Sequence, residues 1–191
     1  MQLLSLRASF LLSAVAALVL AGVAASYPEG APWGAADHRV DEHCASCHWE
    51  RDAVMHSASI AIDGLLPAFE TGATHTFTLE FNPQVMAASG FQVIAINELG
   101  LPGAFEAREP AMSVNDDRSA IRSAEVQRTE TAQARWTFRW TAPDVAGQTV
   151  QFIVAASAAN DDQSPFGDQI HYRTFSADII DRQLTDDLSS R

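Results

Sequence analysis

Apolar and polar residues alternate with period two through most of the chain, and that period predicts strands. In Ala73–Phe81, the side chains of Phe77, Leu79 and Phe81 point one way and those of Thr76, Thr78 and Glu80 the other. Asn82–Pro83 ends this run. Ala134–Trp140 repeats it, with Trp136, Phe138 and Trp140 on one face and Arg135, Thr137 and Arg139 on the other. Gly90–Asn97, GFQVIAIN, is apolar nearly throughout and suits a strand buried on both faces. Ser59–Asp63, Thr149–Ala156 and Gln169–Asp178 are further strand candidates. Residues 98–120 read as loops with a weak strand or two, and residues 120–131 suit either strand or helix. Residues 27–43 read as loop or short turns, and ERDAVMHS, residues 50–57, as a short helix. Short strands with turn signals about every 8–12 residues and little helical period predict an all-β sandwich.

Composition narrows the function classes. The chain has 191 residues, 47% hydrophobic and 19% charged, which is enough for one domain with a real core. Acids outnumber bases 24 to 12, and every base is arginine. That balance speaks against nucleic acid and against an anionic membrane surface as partner.

The first 26 residues carry a short positive start, with Arg7, then an uncharged run from Ala8 to Ala25 ending in small residues. They read as a secretory signal peptide cut after Ala25 or Ser26. The 11 arginines left against 24 acids give the mature chain a net charge of −13. The expected location is periplasmic or secreted, with no stable membrane anchor after cleavage. Export permits disulfides.

The chain has two cysteines, in Cys44-Ala-Ser-Cys47-His48. This is the c-type haem attachment pattern. Two thiols at that spacing add to the two haem vinyl groups, and the adjacent His48 becomes the proximal iron ligand. Cys44 and Cys47 are therefore candidate attachment points for one haem c. His56 is the favoured distal ligand, because eight residues from His48 suffice to wrap a haem edge. His38, His43, His75, Met55 and Met86 are the other candidates, and His43, beside Cys44, is badly placed to cross the porphyrin. A vacant sixth position is a further option. Three other readings stay open: a local Cys44–Cys47 disulfide, a redox-active pair, and a zinc site completed by another histidine. The acidic loop Asp161-Asp162…Asp168 offers oxygen ligands that could bind calcium, but it lacks EF-hand spacing and reads rather as an unliganded polar turn. No nucleophile elbow, zinc-protease motif or phosphate loop occurs, so the chain reads as a non-enzyme.

Several stretches resemble the reelin-like (Reeler) domain, in the form of exported bacterial proteins called choice-of-anchor V. They are CASCHWE followed by SIAIDGLLPAFETGATHTFTLEF, then GFQVIAINE at Gly90–Glu98, WTFRWTAP at Trp136–Pro143, and VAASAANDDQSPFGDQI at Val154–Ile170. Order and spacing agree over residues 44–176, although the Gly64-Leu65-Leu66-Pro67 turn is one residue longer than the family's. The resemblance implies an immunoglobulin-like or fibronectin-III-like sandwich, exported, with haem c in a subset and extracellular binding or adhesion elsewhere. The family is often fused to surface anchors, and no anchoring segment follows Asp178 in this sequence.

The expected organisation is a signal peptide over 1–26, a haem-attachment segment over 27–57, a sandwich over 58–178 and a polar tail over 179–191. The expected function is one-electron transfer through covalent haem to an unidentified redox partner protein. The alternative is a cofactor-free binding or adhesion module with a Cys44–Cys47 disulfide.

Overall fold

The alternating runs become the two faces of a β-sandwich. The computed structural model describes residues 30–182, so the signal segment and the end of the polar tail lie outside the described residues. One sheet has four strands in the order β1 (Ile60–Asp63), β3 (Thr74–Phe81), β10 (Ala134–Thr141), β6 (Ala104–Ala107). The other has six, in the order β2 (Ala68–Glu70), β12 (Gln169–Ile180), β11 (Gln148–Ala158), β5 (Phe91–Ile96), β8 (Ala120–Ser123), β7 (Met112–Val114). A small pair, β4 (Ala88–Ser89) and β9 (Gln127–Arg128), closes one side. Pairing is antiparallel except for β2 against β12.

The predicted faces are the observed ones. Phe77, Leu79 and Phe81 meet Trp136, Phe138 and Trp140 inside the sandwich, and all are buried. The Trp140 ring lies 5.0 Å from Phe152 of the opposite sheet and 5.3 Å from Phe69. Its buried indole N–H donates to Pro102 O at 3.1 Å, so the one polar atom of that side chain is satisfied. Outward, Thr78 and Thr137 pair at 3.2 Å and Arg135 meets Glu80 at 2.7 Å, the polar complement of the same period.

β5 is buried on both faces, as GFQVIAIN predicted. Val93 and Ala95 face the main core, while Ile94 joins a second cluster with Ala36, Ala120, Ile153, Ala155, Ile170 and Tyr172. Residues 30–57 cover that outer cluster. Gln92 bonds both Pro32 O and the Ala36 amide, and the Arg122 guanidinium sits 4.1 Å over the Trp33 ring and reaches Ala31 O.

Two local expectations change, and one open reading is decided. Residues 50–57 form no helix. Val54 instead lies parallel to β12, with Val54 N–H on Ile170 O and Ser57 N–H on Tyr172 O, both at 2.8 Å. The first half of β12 is a sheet edge whose free backbone groups capture this segment, and eight residues are too few to hold a helix against that. Residues 120–131 resolve as β8 and β9, not helix. β12 continues two residues past Asp178, because Ile179 is buried in the core and Ile180 pairs with Glu70 of β2.

Candidate functional site

The cysteine motif forms a short helical turn ahead of the strands. We label it α1 (Cys44–Cys47). His43 precedes it in extended conformation, and His48 N–H closes the turn on Cys44 O at 3.1 Å. Residues three and four apart on a helix are neighbours. The turn therefore sets Cys44, Cys47 and His48 side by side, which is the relation that C-x-x-C-H chemistry needs.

Tyr172 of β12 seats this turn. Its hydroxyl accepts from Ala45 N–H at 3.1 Å and stands 3.1 Å from His43 Nδ1. The His38 ring packs 5.4 Å away on the same tyrosine. Cys44 N–H donates to Ala35 O at 3.0 Å. Burial pushes the Tyr172 hydroxyl's pKa up, and the nearby Cys44 adds to the shift.

The two thiols differ. Cys44 packs against the second cluster, and burial pushes its thiol up to about 12. Cys47 is exposed. A thiolate is the reactive form, so a Cys44 held as the thiol is a poor nucleophile for disulfide exchange. This weighs against the redox-active pair.

His48 is held from the other side. Its Nδ1 lies 2.9 Å from Asp168 Oδ2, a carboxylate only 3% exposed, although the angle falls short of an aligned hydrogen bond. Asp168 Oδ1 accepts from Asn160 N–H at 3.2 Å. The loop between them is tied to the motif's exit: Gly167 N–H donates to Glu50 Oε2 at 2.6 Å, and the Phe166 and Trp49 rings meet edge to face at 5.7 Å. Gly167 has φ +81°, and a Cβ there would come within 3.0 Å of Asn160 Nδ2, so glycine suits this turn.

The distal candidates separate by face. His56 stands exposed on the turn after Val54, with φ 53°, a left-handed conformation that histidine tolerates. Met55 is on the same turn and 41% exposed. His43 is engaged by Tyr172. His75 packs on Phe69 at 4.4 Å, and Met86 belongs to the main core, so the six-stranded sheet separates both from α1. His171 points into the sandwich, 2.8 Å from Ser57 Oγ and 5.0 Å from the Phe81 ring.

Among the described residues, no three His, Cys, Asp or Glu side chains form a group that could hold a metal ion. A structural zinc site needs four such donors and a catalytic one three. A haem iron asks less, since the porphyrin supplies four nitrogens and one imidazole suffices as proximal ligand. The residues present fit that group. Nδ1 of His48 faces Asp168, and Nε2 is the nitrogen left for iron. No helix among the described residues is long and apolar enough to cross a membrane.

Asp168 and Tyr172 were not singled out from sequence. Both lie more than a hundred residues from the motif, and the only local signal was Asp168 in the acidic turn.

No family model matches the chain, and no curated protein matches it. Among solved structures it is similar to the Reelin-N domain of F-spondin, at 18% identity, covering 72% of this chain and 96% of that one, with a TM-score of 0.49. It is also similar to two fragments of the human F-spondin reeler domain. The first, at 17% identity, covers 68% of this chain and 93% of that one, with a TM-score of 0.45. The second, at 19%, covers 67% and 96%, also with a TM-score of 0.45.

Proposed function

We propose that this is an exported β-sandwich protein that carries one haem c on Cys44 and Cys47, with His48 as proximal ligand, and passes single electrons to a partner protein. The observation that carries this reading is the helical turn of C-A-S-C-H at the surface, with Cys47 exposed and His48 partly so. When bound, the haem supplies a one-electron iron couple. The chain's own residues do the rest. Cys44 and Cys47 anchor, His48 ligates, and Tyr172 fixes the turn against the sheet. His56, exposed on the turn that follows Val54, is the proposed sixth ligand.

A second reading is a cofactor-free binding module with a Cys44–Cys47 disulfide. The partly buried Cys44, packed against the second cluster, favours it, because a cysteine so placed serves as a small apolar packing element. Intact mass and an absorption spectrum, taken on protein exported from a host that attaches haem c, separate the two. The haem reading expects the signal-cleaved mass raised by one haem, with a Soret band that survives acidic acetone extraction. A mass two protons below the polypeptide, with no Soret band, overturns it in favour of the disulfide.

A further inference from the structure

We infer that Asp168 is a positioning residue for His48: it orients the imidazole for iron and raises its electron-donating strength. The inference rests on the haem reading above and goes further, since it assigns what sets the reduction potential.

Asp168 is nearly fully buried, and a buried carboxylate is costly unless hydrogen-bonded or paired with charge. The loop holds it in place independently of His48. Asn160 N–H donates to Oδ1, Asn160 Oδ1 accepts from Asp162 N–H at 3.1 Å, and Glu50 fastens Gly167. Oδ2 is left 2.9 Å from His48 Nδ1. A histidine that ligates a metal commonly gives its other N–H to a carboxylate, carbonyl or water, which fixes tautomer and ring and raises ligand basicity. Here the carboxylate is already built into the end of the loop. A proton carried on Nδ1, beside Asp168, would leave Nε2 as the nitrogen available to ligate. The negative partner favours ferric over ferrous iron, so the potential is held low.

The test uses the haem-loaded protein. Asp168→Asn keeps the size and an acceptor oxygen but removes the charge. The expected result is attached haem with the ferric preference weakened about tenfold, an upward shift of about 59 mV for one electron. The frequency of the iron–histidine stretch, read in ferrous protein that also carries His56→Ala so that the proposed sixth ligand is removed, should fall with it. Glu80→Gln is the control: it removes a carboxylate charge on the outer face of the four-stranded sheet, away from His48, and should leave potential and stretch near wild type. Equal shifts in both variants, or no shift in Asp168→Asn, overturn the inference while the haem reading stands. A wild-type protein without haem overturns both, and shows itself before any variant is compared. Should Asp168→Asn fail to accumulate, proton NMR of the wild-type ferrous protein decides. A slowly exchanging, downfield His48 Nδ1 proton supports the inference, and a freely exchanging one refutes it.

Discussion

Tyr172→Phe tests how the motif is mounted. The substitution removes one oxygen and keeps the buried ring, so the packing of the second cluster is preserved. What is lost is the acceptor for Ala45 N–H and the contact to His43 Nδ1, each at 3.1 Å. Two such interactions, with an amide left short of a partner, are together worth about 1–3 kcal/mol. The loss falls on the docking of residues 30–57, because the strand pairing of the sandwich does not use the hydroxyl. Cys44 reports that docking. With its thiol pushed up to about 12, the docked thiolate fraction at pH 8 is about 10⁻⁴. Alkylation then proceeds through local opening, and its rate follows the opening equilibrium. A weakening of 1–3 kcal/mol therefore speeds it about 5- to 150-fold. The assay is timed iodoacetamide labelling at pH 8 of reduced, cofactor-free protein bearing Cys47→Ser, so that the measured rate belongs to Cys44. A companion Cys44→Ser protein should label at one rate with or without the Tyr172 hydroxyl, since Cys47 is exposed. An unchanged Cys44 rate in Tyr172→Phe refutes the seat. Equal acceleration of both cysteines refutes its locality.

Other outcomes follow from the same contacts. Trp140→Ala empties the aromatic centre between the sheets, and should cost about 3–5 kcal/mol in urea unfolding; a loss under 1 kcal/mol would mean the core is not organised around it. Arg122→Ala removes the ring contact with Trp33 and the bond to Ala31 O, worth about 1–2 kcal/mol locally. It should expose residues 30–43 to limited proteolysis while leaving the urea midpoint nearly fixed. Burial first, and then the charge of Arg51, lower the pKa of His171 below 6.5 in the fold, and burial lowers that of His75. The unfolded chain then binds more protons below pH 6.5, so stability is full above that pH and falls as pH drops toward the folded values. The slope cannot exceed about 1.4 kcal/mol per pH unit for each histidine, and urea midpoints for His171→Gln should show a shallower fall than wild type between pH 6.5 and 5.

The sandwich was legible where period two was long. β3 and β10 carry eight residues each with clean alternation, and their inner faces are those the sequence gives. β5 read as doubly buried because Ile94 and Val93 are both apolar on a six-residue strand, and the second cluster is the reason. β2 and β4, at three and two residues, are too short for any period, and only their partners in β12 and β9 define them. Residues 50–57 carried a weak helical pattern that lost to an open strand edge, a partner over a hundred residues away. The site divides in the same way. Cys44, Cys47 and His48 are contiguous, so their chemistry is written locally. Their supports are not: His43 meets Tyr172 across 129 residues, and Glu50 meets Gly167 across 117.

The supports converge on a single stretch of chain. Asp168 and Tyr172 flank the start of β12, and between them Ile170 takes the backbone of Val54. His48, the turn that carries the thiols and the segment leading to His56 are thus all referenced to one strand that runs on into the main core. A site mounted on a strand holds its geometry better than one carried by loops alone. For a disulfide staple such mounting is superfluous, because the two sulfurs are joined within one turn whatever stands behind His48. For an imidazole that must keep one nitrogen free and one engaged, it is what the chemistry requires. A buried carboxylate 2.9 Å from His48 Nδ1 suits a ligating imidazole and has no part in a disulfide, so Asp168 is where the two proposed readings differ most.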